Sequence, residues 1–182
     1  DDVMNKQREV IYKKRKEILE IDDAKGEITE YIKDQIEKIV SLNCIDEGEG
    51  CNTEGIYETI CGISPCDKSV LSKLEEIKND KVQNLTEKIG SMTEYLFGLT
   101  KEIYIKKEQE IGTENMRAIE KAVILETFDT MWMNHLDEID YLREGIGLRG
   151  YGQRDPLIEY KREAFSLFSH LMENIKSSIV HT

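Results

Sequence analysis

Proline is nearly missing from this sequence, with Pro65 and Pro156 the only two in 182 residues. Chains built from turns and short strands need more breakers than that, whereas long helices need few. No apolar run approaches the roughly 20 residues required to cross a bilayer, so no membrane span is expected. The opening Asp1-Asp2-Val3-Met4-Asn5-Lys6 has no basic stretch leading into an apolar one, so no signal peptide is read there. Being already charged and helix-like, without an initiator Met, it is expected of a piece cut from a longer protein. Positive charge is also short, the net charge being −12. Residues 1–20 carry +1, residues 21–112 carry −9 and residues 113–182 carry −4. An acidic middle repels phosphates, so no nucleic-acid partner is expected. A well-solvated helical surface explains the charge more simply than any specific acidic function.

The four cysteines, Cys44, Cys51, Cys61 and Cys66, include no Cys-x-x-Cys pair, so the usual zinc spacing is missing. Nearby glycines could still gather thiols into a zinc site or a disulfide. The spacing favours ordinary half-buried thiols in a loop-rich patch, and no metal site is assigned. Nor is there an H-E-x-x-H motif, a Walker lysine motif or a readable nucleophile triad, so no catalytic or cofactor-binding residue is assigned. Gly145-Ile146-Gly147-Leu148-Arg149-Gly150 does fit G-x-G-x-x-G. That fingerprint needs a strand before it and a helix opening at its end. Here a helix precedes it and the next starts only at Pro156, so nucleotide binding is rejected.

What the sequence has in quantity is helical periodicity. Val3, Val10, Ile11, Ile18 and Leu19 form one apolar stripe, and Ile28, Ile32, Ile36 and Ile39 form a second. Short helices are expected around 56–61 and 68–77, and a longer one over 82–110, weakened by Gly90 and Gly98. The stripe from Met116 through Ile119, Val123, Phe128, Trp132, His135, Leu136 and Ile139 to Leu142 persists for about eight turns. Gly145, Gly147, Gly150 and Gly152 are expected to break it. Asp155-Pro156 then restarts a helix as N-cap and first helical residue, with Leu157, Ala164, Phe165, Phe168, Leu171, Met172, Ile175 and Ile179 as its stripe. The two stripes make an antiparallel hairpin with its first arm about 45 Å long. Trp132, Phe128, Phe165 and Phe168 are its expected core. His135, on the stripe, is read as a hydrogen-bonded core residue. The tip carries Ile146, Leu148 and Tyr151 among Arg143, Arg149 and Arg154, with no acid between Glu144 and Asp155. Such a tip suits contact with a partner; a loop whose apolar residues tuck back between the helices is the plainer alternative.

At these residues the sequence resembles a known family. Leu125 through Trp132, His135 and Asp140 to Arg143, then Gly145-Ile-Gly-Leu-Arg149-Gly-Tyr151-Gly-Gln-Arg154-Asp155-Pro156, then Glu159-Tyr-Lys161, is similar to the two-helix finger of the SecA preprotein translocase motors. Asp2-Val-Met-Asn5-Lys-Gln-Arg8-Glu-Val-Ile-Tyr12, with Arg15, resembles the start of that family's helical scaffold. Together these blocks cover about half the chain. The middle resembles the helical wing in position and helical character, and is shorter. Gly147 stands where the family commonly has His, and Gly152 where it has Ala.

The resemblance implies an all-α fold: long helices, a C-terminal two-helix finger packed on an N-terminal scaffold helix, and a small helical wing. The expected division is scaffold at 1–21, wing at 22–111 and finger at 112–182. It implies part of an ATP-driven motor that moves unfolded preproteins through the SecY channel from the cytoplasmic face of the bacterial plasma membrane. In that setting Tyr151, with Arg149, Ile146, Leu148 and Arg154, contacts the channel and the moving polypeptide. The scaffold helix runs against the motor's nucleotide-binding domains, and the finger restrains hydrolysis. ATP and Mg belong to the parent motor, with no cofactor and no enzymatic activity in this fragment. The family's zinc-binding tail lies outside the chain, and the four cysteines are not that tail. A free-standing acidic helical adaptor or dimerisation module is the rival reading; the Gly-rich Arg/Tyr tip discriminates, since an adaptor has no need of it.

Overall fold

The structure is a computed structural model that describes residues 1–45, 50–149 and 155–182, without the side chains of Leu148 and Arg149. It is all-α apart from one short ribbon. The helices are α1 (Asp2–Glu20), α2 (Lys25–Asn43), α3 (Thr53–Ile63), α4 (Lys68–Lys78), α5 (Leu85–Ile111), α6 (Thr113–Arg149) and α7 (Pro156–His181). Strands β1 (Cys44–Ile45) and β2 (Gly50–Cys51) pair antiparallel between α2 and α3. Among the described residues, no helix is long and apolar enough to cross a membrane.

The helix starts follow local chemistry. Asp155 accepts a hydrogen bond from the Leu157 amide at 2.9 Å, and Pro156 occupies the first turn, where its missing N–H leaves no bond unmade. Asn84 and Glu87 close a reciprocal capping box at the head of α5. Asn52 and Asp67 cap α3 and α4 by accepting from the Gly55 and Ser69 amides. Gly112, at φ +91°, separates α5 from α6 in a backbone conformation that side chains disfavour.

Two compact units result, one formed by Asp1–Ala24 with Arg117–Val180 and the other by Lys25–Met116. The second boundary thus falls inside α6, beyond the helix break at Gly112. The Lys25–Met116 unit packs α2, α3, α4 and α5 around Val40, Ile56, Leu74, Met92 and Leu96, each at most 1% exposed. Lys25 reaches Glu108 across α2 and α5 at 2.6 Å. The Thr53 hydroxyl hydrogen-bonds to Glu75 and ties the start of α3 to α4.

Two sequence expectations are corrected here. The ribbon register sets Cys44 directly opposite Cys51, and the pair is a disulfide rather than two thiols. Cys61 and Cys66 are free and half-buried. Gly145 and Gly147 do not end α6, which stays helical to Arg149. A glycine costs a helix about 1 kcal/mol but leaves its backbone hydrogen bonds intact, so it weakens without breaking. Gly90 and Gly98 are likewise accommodated inside α5.

Candidate functional site: a scaffold helix clamped to a helical hairpin

The candidate site lies in the unit formed by α1, α6 and α7. It begins with polar residues that sit on otherwise apolar stripes. On α1 the buried face is Met4, Gln7, Ile11 and Ile18, so the true stripe runs beside the expected one; Val10 and Leu19 are exposed. On α6, from Arg117 onward, it is Glu120, Ile124, Phe128, Trp132, His135 and Ile139. Ile119 faces solvent, and Ile124 rather than Val123 is buried.

Gln7 and His135 meet in this core. The Gln7 side-chain amide donates to the Ala164 carbonyl at 3.0 Å, which directs its oxygen to His135 Nε2 at 2.7 Å. An amide oxygen only accepts, so Nε2 carries the proton. One residue from each helix is thereby joined in a single chain of hydrogen bonds. His135 is 1% exposed, and burial pulls its pKa below the usual histidine value. Its Nδ1 is a buried acceptor with no protein partner among the described residues. The ring packs 5.4 Å from Trp132 and 5.9 Å from Phe168. It also borders a polar cleft of about 340 Å³ shared with Asn134, Glu138, His170 and Asn174.

This neutral histidine makes stability depend on pH. Its pKa is lower folded than unfolded, so the unfolded chain takes up the proton first as pH falls. Its contribution is therefore complete above about pH 6.5 and diminishes below it, with a slope of at most about 1.4 kcal/mol per pH unit. Urea melts at pH 7.5 and 5.5 measure it in a window above most carboxylate titration. Stability that holds level or rises on acidification would show that the folded state carries the imidazolium.

Three further ties fix α1 along its length. At its start, Asp1 caps the Val3 and Met4 amides through Oδ1. Its Oδ2 accepts from Arg143 of α6 at 2.7 Å and from the Tyr160 hydroxyl of α7. Midway, Arg15 makes a two-pronged pair with Asp129 at 2.7 and 3.0 Å, which lowers the Asp129 pKa. At its end, Lys121 donates to the Leu19 and Ile21 carbonyls at 2.6 and 3.2 Å, answering groups that a helix C-terminus leaves open. Arg117 adds a 2.7 Å pair to Asp23.

Of the expected core aromatics, Phe128 is 1% and Trp132 6% exposed, and Phe168 is half-buried against His135. Phe165 is not core: it is 70% exposed. Ala164 takes the buried position on α7, with Tyr160, Leu171, Ile175 and Ile179, and Phe165 lies about 100° around the helix from it. Ile146 lines an open cleft of about 560 Å³ with Val3, Arg143, Pro156, Leu157 and Tyr160. Tyr151 and Arg154 lie outside the described residues, as do the side chains of Leu148 and Arg149.

Sequence reasoning missed Gln7, Asp1 and Lys121. Gln7 had a readable signal, since it is a polar residue three positions after Met4 and four before Ile11 on one face. Asp1 is legible locally as an N-cap, but its bonds to Arg143 and Tyr160, like those of Lys121, act across helices and leave no local trace. Among the described residues, no three His, Cys, Asp or Glu side chains are grouped to hold a metal ion. What the arrangement provides is mechanical: a helix fixed at its head, middle and end to two others.

The comparisons with known proteins agree in one direction. The SecA Wing and Scaffold domain family matches residues 1–182. The protein translocase subunit SecA of Thermodesulfovibrio yellowstonii is 43% identical over 180 residues, covering 99% of this chain and 19% of that protein. Those of Desulfotalea psychrophila and Clostridium acetobutylicum are 40% and 38% identical, again over 99% of this chain, and 20% and 21% of theirs. The chain thus spans about a fifth of the length of these relatives. With the family matched from the first residue to the last, the chain belongs to the SecA wing and scaffold domain family.

Proposed function

We propose that this chain is the scaffold-and-wing portion of a motor that drives secretory preproteins through the SecY channel. In this reading Lys25–Met116 is the wing, and α6 with α7 is the finger. The finger tip, formed by Ile146, Leu148, Arg149, Tyr151 and Arg154, touches the channel and the moving polypeptide. Helix α1 lies against the nucleotide-binding domains of the parent motor, which hold ATP and Mg, and the finger restrains their hydrolysis. The fragment itself performs no chemistry and works at the cytoplasmic face of the membrane.

The observation that carries this reading is the fourfold attachment of α1 to the hairpin, through Asp1, Gln7, Arg15 and the α1 carbonyls held by Lys121. A helix so attached moves with the hairpin as one body, which is what transmission from a nucleotide-driven domain to a distant tip requires. The exposed Tyr12, Leu19 and Met133, bordering a cleft of about 520 Å³ with Arg15 and Asp129, give that body an apolar face for the parent protein to cover.

Tyr151 tests the reading. Glycines flank it, so neither neighbouring side chain anchors it. Tyr151→Ala should change the stability of the chain by no more than about 0.5 kcal/mol. In the whole motor the same substitution should slow preprotein transport about tenfold, the loss of a contact worth about 1.4 kcal/mol. Phe or Met at 151 should retain more activity than Ala or Gly if bulk supplies the grip. Wild-type transport with Ala at 151 would remove the contact role and favour the adaptor reading.

A further inference from the structure

Where α6 and α7 face each other across one stretch of the hairpin, polar residues stand at positions that close packing would give to apolar ones. On α6, Asn134 and Glu138 lie one turn apart beside His135; on α7, His170 and Asn174 lie one turn apart beside Leu171. The spacing is the same on both helices, so each sets a polar row along the buried seam of His135 and Leu171. Between the rows lies the cleft of about 340 Å³, at the small end of the range for ligand sites. At its floor, His135 Nε2 gives its proton to Gln7, so Nδ1 keeps a lone pair, and that acceptor is buried without a hydrogen-bond partner. A buried acceptor left unpaired loses its hydration without replacement, which folded proteins rarely leave unanswered. The four rim side chains are exposed, and none is engaged in a hydrogen bond or ion pair among the described residues. Glu138 is the one carboxylate on the cleft, and among the described residues no lysine or arginine lines it.

We propose that this cleft is a binding site for a guanidinium group, the side chain of an arginine outside residues 1–182. Its walls ask for donors: His135 Nδ1 and the Glu138 carboxylate only accept, and the Asn134 and Asn174 amides each have an oxygen to offer. A guanidinium carries five N–H donors in a planar fork and no acceptor, so one group answers several of these at once. Its charge answers Glu138. An ammonium is a compact, more strongly hydrated point charge and must shed more water to reach the ring edge. The rim side chains are exposed and change rotamer within nanoseconds, so the donor reaches Nδ1 without moving a helix. A metal ion is the poorer occupant, since among the described residues no three His, Cys, Asp or Glu side chains are grouped to hold one. Bound there, the arginine extends the line of hydrogen bonds from Ala164 through Gln7 and His135 to a segment outside the chain. The site stands whether or not the chain works as a translocation scaffold.

The probe is Nα-acetyl-arginine amide, titrated into the 182-residue chain at neutral pH and followed by nitrogen NMR of its three histidine rings. His135 Nδ1 should move saturably toward the protonated position, with a dissociation constant of about 1 mM, the strength that about fifteen non-hydrogen atoms reach at ordinary efficiency. The citrulline amide, of the same shape without the charge, and the lysine amide should each bind at least about tenfold more weakly. Glu138→Gln, at an exposed position that folding does not depend on, should weaken the arginine amide at least about fivefold. Three results would each overturn the proposal. One is an Nδ1 signal that stays put at about fifty times the expected constant, which leaves the acceptor to a bound water. The others are a less than twofold preference for arginine over either analogue, and binding that Glu138→Gln does not change. The same titration on a longer chain that contains these residues separates the two sources of the arginine. A site that refuses the probe there is filled from within that chain, and one still open is filled by a separate polypeptide.

Discussion

Trp132→Ala should destabilise the α1, α6 and α7 unit by about 3–5 kcal/mol, the range for removing a large buried aromatic. The indole is 6% exposed, lies against the His135 ring, and borders the cleft with Tyr12, Leu19 and Met133. Its removal leaves a void that the surrounding side chains cannot fill, because Phe128 and His135 are held on the same rigid helix face. Phe165→Ala supplies the internal control. It deletes a ring of similar size from the adjoining helix, but at 70% exposure should shift stability by no more than about 0.5 kcal/mol. Urea unfolding followed by far-ultraviolet circular dichroism reports both. A loss below about 1 kcal/mol at Trp132 would mean that the hairpin core lies elsewhere.

The next largest effect is expected at a residue with little apolar surface. Gln7→Ala removes two hydrogen bonds at once, leaving the His135 Nε2 proton buried without a partner, while the Ala164 carbonyl keeps its bond within α7. The orphaned donor costs about 1–3 kcal/mol and the lost bond to the carbonyl about 1 kcal/mol more, with water admitted to the vacated space offsetting part of that, so the sum should be about 2–3 kcal/mol. The signature lies in the coupling. With Gln7 gone, His135 loses an acceptor, so His135→Ala in that background should cost at least about 1 kcal/mol less than in the wild type. Strict additivity of the two substitutions in urea melts would show that the amide and the imidazole do not act together.

These two residues mark how far the sequence could be read. Asp155-Pro156 announced the start of α7 because an N-cap and a first-turn proline act within three residues, and local chemistry is legible locally. The hairpin and its two aromatic anchors on α6 were equally open to periodicity. Phase was harder. Val10, Ile11, Ile18 and Leu19 offer two adjacent stripes on α1, and only the position of α6 and α7 selects Met4, Gln7, Ile11 and Ile18. Phe165 failed for the same reason: hydrophobicity says that a residue can be buried, and tertiary packing decides that its neighbour Ala164 is. The Cys44–Cys51 bond depends on strand register, which spacing alone does not encode. The tip residues Tyr151 and Arg154 were singled out from the local run of glycines, arginines and apolar residues, with the resemblance adding their role, and they lie outside the described residues.

The Asp23–Arg117 pair has a consequence for how such proteins change over time. At 2.7 Å it brings together the two points where residues 25–116 leave and rejoin the α1, α6 and α7 unit. Ninety-odd residues of sequence are thus inserted at a seam that is nearly closed without them. Lengthening, shortening or replacing that insert alters no register between Gln7, Trp132 and His135, since none of their partners belongs to it. The insert is free to diverge in length and chemistry while the hairpin core stays under tight packing constraint. A lineage can acquire cysteines there, or lose them, without retuning the part that Gln7 holds in place.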